Sequence, residues 1–260
     1  MKLPTYWVDT FTAERFHGNP AAVVIAPAPL DPVLMQAIAT ENNQPATAFV
    51  VPDGARYAIR WFTPTVELQL CGHGTFASAF ALYQHGLETA EALEFSSASG
   101  MLRVSRLSDR LLLDFPARPA TLTPDLIPTL ASALGVIPTE AHSARATLAV
   151  LNSEAELRAL RPDMAKVARI PTDGVIATAP GSRTDFVSRF FAPQLGIGED
   201  SVTGSAHSTL VPYWSRRLGK VRLHTQQLSQ RGGELWCEDR GERVSMAGYC
   251  TLYLRGELNV

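Results

Sequence analysis

Trp61-Phe62-Thr63-Pro64, followed within a dozen residues by Cys71-Gly72-His73-Gly74-Thr75, is one version of a pattern that the chain repeats. The other is Phe190-Phe191-Ala192-Pro193, followed by Thr203-Gly204-Ser205-Ala206-His207. Each reads as an apolar strand closing on F-x-P, then a loop, a glycine, a polar residue, a small residue and a helix. One F-x-P arises easily by chance. Two with the same sequel, at corresponding places in the two halves, point to an internal duplication. A chain of 260 residues accommodates two halves near the commonest domain size.

The segments around these repeats extend the pattern. Tyr6–Asp9 and Ala21–Ile25 read as strands flanking the turn at Gly18-Asn19-Pro20. Asp31 can cap a helix running to Asn43, with Pro32 in its first turn and Leu34, Ile38 and Ala39 on one face. Thr47–Pro52, Tyr57–Phe62, Leu93–Phe95, Met101–Val104 and Leu111–Phe115 read as strands, and Gly72–Leu82 as a buried, Ala-rich helix. Residues 116 to 128 hold four prolines and are the expected linker, which sets the halves at 1–116 and 117–260 with a final strand able to pack back on the first. The second half is expected to carry a helix over 126–134, strands near 147–151, 175–179 and 186–191, a helix from about Ser205, and closing strands near 221–228, 234–237, 244–247 and 251–254.

Composition excludes several classes. Hydrophobic residues make up 46% of the chain and charged residues 18%, which suits a packed core and not a disordered segment. The net charge of −2 is spread without a basic stripe, so no nucleic-acid partner is expected. Cys71, Cys237 and Cys250 are odd in number and far apart, which is neither a disulfide framework nor zinc spacing. No signal-peptide pattern or spanning apolar run is visible, so a cytoplasmic protein off the membrane is expected. Phosphate-loop, zinc-protease and nucleophile-elbow motifs are missing, and the six histidines lack ligand spacing, so neither a metal nor a cofactor is called for.

The repeated loops are the candidate chemistry. A helix N-terminus offers unpaired N–H groups and partial positive charge, and a glycine there lets a ligand approach the backbone. Two such termini across a cleft would bind a carboxylate and stabilise an enolate. The first loop presents Cys71 and His73, the second Asp200, Thr203 and Ser205. Each has an ordinary structural reading: cap, buried hydrogen-bonder or small apolar group. His207, one turn into its helix, faces either core or cleft.

Val8-Asp9-Thr10-Phe11-Thr12, Gly18-Asn19-Pro20-Ala21, Glu41-Asn42-Asn43, Phe62-Thr63-Pro64-Thr65, Cys71-Gly72-His73-Gly74-Thr75, Gly198-Glu199-Asp200-Ser201-Val202-Thr203-Gly204-Ser205-Ala206 and Gln227-Leu228-Ser229-Gln230-Arg231-Gly232-Gly233 together resemble the PhzF, or phenazine biosynthesis-like, family. The resemblance runs in order through almost the whole chain. It implies an α+β fold of two similar domains, each a curved, mostly antiparallel sheet wrapped around a central helix, as in diaminopimelate epimerase. It also implies a cofactor-independent isomerase, a homodimer, and a small cyclic or unsaturated carboxylic acid as substrate. Carried over singly, the working residues are His73, Asp200 and Ser205. Gly72, Gly74, Thr75, Thr203, Gly204 and Asn19 are expected to line the substrate.

One position departs from the family pattern. A glutamate that moves the proton is expected after Glu41-Asn42-Asn43, and Ala46 stands there, preceded by Pro45. Three readings follow. Another group supplies the proton path, with Cys71 or an Asp200–His73 pair as candidates; the protein does different chemistry on a related carboxylate; or it retains the cleft and only binds a small anionic metabolite. The second cysteine of the related epimerase falls near Thr203, so a two-thiol epimerase is excluded.

Overall fold

Neighbouring aromatic residues decide how each half is layered. Adjacent residues of a strand point to opposite faces, so Trp61 and Phe62 must each be buried against something different. In the computed structural model, which describes residues Met1 to Val260, both are buried, and the chain divides into two compact units. The first is Met1–Asp114 with Ala247–Val260, the second Phe115–Met246.

In the first unit, β1 (Lys2–Thr10) pairs antiparallel with β2 (Asn19–Ile25) on one side and with the C-terminal strand Cys250–Asn259 on the other. Helix α1 (Pro32–Asn42) leads to β3 (Thr47–Asp53), parallel to β2, and a turn returns β4 (Arg56–Phe62) antiparallel. The short β5 (Glu67–Leu68), helix α2 (Gly72–His85) and β6 (Ala92–Ser97) follow, with β6 parallel to β4. β7 (Gly100–Leu107) and β8 (Arg110–Pro116) complete an antiparallel meander. Phe62 packs with Leu3, Val24 and Phe49 on the face covered by Met35, Ile38 and Ala39 of α1. Trp61 faces α2, whose Gly74 lies against its indole. The side of α1 that meets the sheet therefore centres on Met35, while the expected Leu34 is half-buried at its margin. Asp31 caps α1 through Val33 N–H at 2.7 Å, as its place before Pro32 implies.

The second unit repeats this order. β9 (Thr121–Leu122) pairs with β10 (Glu140–Ser143), which pairs with β11 (Thr147–Val150), and α3 (Ile127–Leu134) lies between the first two. Helices α4 (Glu154–Ala159) and α5 (Met164–Val167) precede β12 (Val175–Pro180), parallel to β11. β13 (Phe186–Ala192), β14 (Ile197–Asp200), helix α6 (Gly204–Leu218) and β15 (Arg222–Gln227) follow, with β15 parallel to β13. β16 (Gly233–Asp239) and β17 (Arg243–Gly248) end the unit. Phe191 joins the cluster under α3, α4 and α5, while Phe186 stacks on Trp214 of α6 at 5.6 Å.

The duplication extends to side chains that the motif does not contain. Arg60 grips Glu67 with both forks of its guanidinium, at 2.7 and 2.8 Å, and lies over the Phe62 ring. Arg189 grips Glu199 in the same way, at 2.7 and 2.9 Å, and lies over Phe191. Both pairs clamp the strand that leads into the glycine loop to the one that carries its aromatic residues.

Residues 116 to 128 are not a free linker. They contain β9, a 3-10 turn at Pro124–Leu126 and the start of α3, with Pro124 and Pro128 opening helical turns where a missing N–H costs nothing. The backbone N–H of Arg118 also donates to Ser208 O at 2.8 Å. Within α6 that carbonyl would accept from residue 212, which is proline. The supposed linker thus heals the bond that Pro212 breaks. No helix is long and apolar enough to cross a membrane.

Candidate active-site loops

Helices α2 and α6 are buried on nearly every side, so their first turns stand at the ends of rigid rods. In the first unit Cys71 is the N-cap of α2. Its sulfur accepts from Gly74 N–H at 3.4 Å and lies 3.5 Å from Nδ1 of His73. Thr75 donates its hydroxyl to Cys71 O at 2.8 Å and is fully buried, so it ties the loop to its helix. A Cβ on Gly74 would come within 2.7 Å of the Trp61 indole and 3.0 Å of Cys71 Sγ, which is why that residue is glycine. Gly72 is buried and His73 half-exposed.

Ala46 precedes β3 and is fully buried, its carbonyl accepting from Ala22 N–H at 2.9 Å as an extension of the parallel ladder. Its methyl group moves no proton. Asn19 opens β2, also fully buried, and its carbonyl accepts from the Thr10 hydroxyl at 2.9 Å. Before it, Gly18 holds φ +65°, and a Cβ there would sit 2.0 Å from Thr10 O. Asp9, near the end of β1, accepts from Phe16 N–H at 2.8 Å.

In the second unit Thr203, and not Ser205, is the N-cap, and Ser205 is an exposed residue of the first turn beside buried Gly204. The Thr203 hydroxyl donates to Oδ2 of Asp200 at 2.6 Å. The backbone N–H of Thr203 donates to Oε1 of Gln227 at 2.8 Å, and Gln227 Nε2 donates to Asp200 O at 2.7 Å. His207 resolves to the core: it is fully buried, with Nδ1 donating to Thr203 O at 2.9 Å and its ring beside Phe186.

The two loops share one hydrogen-bond scheme at a constant offset. Cys71 answers to Thr203, Gly72 to Gly204, His73 to Ser205 and Thr75 to His207. In each, the fourth residue after the cap donates its side chain to the cap's carbonyl. In each, a serine beyond the following strand donates to the loop: Ser99 to Gln69 O and Ser229 to Ser201 O, both at 2.7 Å. The chemical groups on this common frame differ. One loop carries a thiol and an imidazole, the other a carboxylate and hydroxyls.

Burial pushes the pKa of His207 down to about 4, so it is neutral and cannot serve as a charged acid near neutrality. Its unfolded value is near 6.5, above the folded one, so its contribution to stability is complete above pH 6.5 and is lost as pH falls toward 4. The loss between pH 7 and 5 is about 2 kcal/mol. Urea unfolding of wild type and His207→Gln at both pH values should show this slope in the first and not in the second. Parallel slopes would sink the assignment.

The phenazine biosynthesis-like family model matches residues 8–256. An uncharacterized isomerase of Pseudomonas aeruginosa is 51% identical over 261 residues, covering all of both chains. The crystal structure of a PhzF-family phenazine biosynthesis protein from Enterococcus faecalis superposes with a TM-score of 0.97 at 43% identity, again over all of both chains. A hydroxyproline epimerase from Agrobacterium vitis, at 12% identity and a TM-score of 0.63 over 99% of this chain and 92% of its own, shares the fold alone. A match over nearly every residue, on a duplicated epimerase-like frame, places this chain in the phenazine biosynthesis-like (PhzC-PhzF) family of isomerase-type proteins.

Proposed function

We propose that the protein is a cofactor-independent isomerase in which Cys71, paired with His73, moves the proton that the family's glutamate would move. The observation that carries this reading is the cap of α2. The thiol sits at a helix N-terminus, accepts from Gly74 N–H and touches the His73 imidazole. Helix termini and neighbouring imidazoles stabilise thiolates, and the thiol and imidazole together offer one site that takes a proton and one that returns it. The substrate is a small cyclic or unsaturated carboxylic acid. Breaking a C–H bond next to the carboxyl group, or at the far end of a double bond conjugated with it, leaves the electron pair in a dienolate, and reprotonation at the other of these two carbons completes the shift. On the second loop, Asp200 and Ser205 are the groups the resemblance assigns to the reaction, and the α6 N-terminus suits an anion. The same reading makes the protein a cytoplasmic homodimer.

Incubation with cyclohex-1-ene-1-carboxylate, cyclohex-2-ene-1-carboxylate and but-2-enoate in deuterated water tests it, with NMR following the carbon-bound protons. Deuterium should enter a ring or chain carbon of at least one acid. Ala46 favours a second reading, a carboxylate-binding protein without turnover. Thermal stabilisation by one of these acids, with none of the three exchanging a proton, would establish that alternative and end the first.

A further inference from the structure

We infer that Gln227, the last residue of β15, is the positioning residue of the second loop, setting the place of Asp200 without touching a ligand; this rests on the reading of Asp200 just given. Its side chain is almost wholly buried and makes three bonds to two residues. Oε1 accepts from Thr203 N–H at 2.8 Å; Nε2 donates to Asp200 O at 2.7 Å and to Thr203 Oγ1 at 3.3 Å. The orientation of the amide follows from its partners. A backbone N–H needs an acceptor and a carbonyl needs a donor, so only one of the two amide flips satisfies both.

These bonds span both ends of the Asp200–Thr203 segment. Thr203 N–H is one of the donors that a helix N-terminus leaves without a backbone partner, and Asp200 C=O stands where the strand ends. Gln227 supplies both from one side chain held on a strand. The Thr203 hydroxyl, which Gln227 also contacts, in turn donates to the Asp200 carboxylate. Position is therefore passed from the sheet to Gln227, to Thr203 and to Asp200.

The duplicated frame shows that this is not a general need of the fold. The corresponding strand end in the first unit is Ser97, whose hydroxyl donates to Gly100 O and not to the Cys71 loop. There the residue before the loop is apolar Leu68, where the second unit has Asp200. The glutamine occurs in the half that has a carboxylate to place. It also forms part of the Gln227–Gly233 stretch, whose Ser229 holds Ser201 O.

Gln227→Met keeps length and volume and removes all three bonds. Amide hydrogen exchange at Thr203 should quicken by about tenfold to a hundredfold, while β12 and β13 keep their protection. In the deuterium wash-in assay kcat should fall by about tenfold or more with KM little changed. Gln227→Glu is the second variant, in case the first does not fold. It keeps an acceptor for Thr203 N–H but offers no donor to Asp200 O, so Thr203 should stay protected while kcat still falls. Wild-type exchange at Thr203 in the methionine variant would overturn the proposal. So would a loosened Thr203 with unaltered kcat, or an evenly weakened second unit. If wild type washes no deuterium into any acid, the proposed isomerase fails, and Thr203 exchange alone decides whether Gln227 places the loop.

Discussion

Replacing Cys71 by serine is expected to slow deuterium wash-in by about 10²- to 10⁴-fold, the usual loss when a positioned acid–base group is removed. The fold should survive. Serine is among the best N-cap residues, and its oxygen can accept from Gly74 N–H in place of the sulfur. The substitution therefore separates the cap from the chemistry. An alcohol yields its proton far less readily than a thiol, so the cap is kept and proton transfer is lost. His73→Asn should lower the rate in the same range, and the double variant should be little worse than either single one, because groups that act as one unit are not additive. Cys237→Ala is the control. That thiol is buried in β16, where burial pushes its pKa up and keeps it protonated, and the change should leave the rate alone. A Cys71→Ser variant with the full rate would transfer the proton step elsewhere, and the Asp200 loop is where it would be sought.

The duplication was legible in the sequence because it is written in local features: an F-x-P strand end and a glycine before a helix. The strands and the two central helices followed from runs of apolar residues long enough to carry a period. The stretches that were misread or missed are short. β5, β14, α4 and α5 hold too few residues to show a period, and they are held by partners distant in sequence, as Glu67 is by Arg60 and Glu199 by Arg189. Four prolines within 116–128 suggest a linker, yet two of them open helical turns. In the candidate site, the glycines that open the two helices could be read from the sequence, but the caps could not, since Thr203 and not Ser205 caps α6, and neither could their pairing. The side of α6 occupied by His207 was undecidable from a helix buried almost all round. Gln227 stood within a recognised motif, but its bonds reach back 24 residues to Thr203, and nothing local marks it. The one available signal was the comparison of the repeats, where a polar amide stands in one half and a serine in the other.

That comparison also supports a stability prediction, because the chain contains one ion pair twice in different surroundings. Arg60 and Glu67 are 40% and 37% exposed, Arg189 and Glu199 only 10% and 23%. Exposed pairs contribute little, about 0–1 kcal/mol, so Arg60→Met should cost less than about 1 kcal/mol. Arg189 does more than pair. Its Nη1 donates to Leu157 O at 3.1 Å and Leu160 O at 3.0 Å, holding the carbonyls at the end of α4. Removing it strands a largely buried carboxylate and takes one of two donors from each carbonyl, leaving Leu160 N–H on Leu157 O and Arg161 Nη1 on Leu160 O. Breaking a buried pair from one side costs about 3–5 kcal/mol, a large part of a domain's whole stability. Arg189→Met should therefore be the more damaging by several-fold in unfolding free energy, though the arginine–glutamate pairing is the same in both units. The double variant Arg189→Met/Glu199→Gln should recover part of the loss, because the uncompensated charge goes with the glutamate. Urea unfolding of the four proteins decides it. Equal costs for Arg60→Met and Arg189→Met would mean that burial does not set the strength of the repeated clamp.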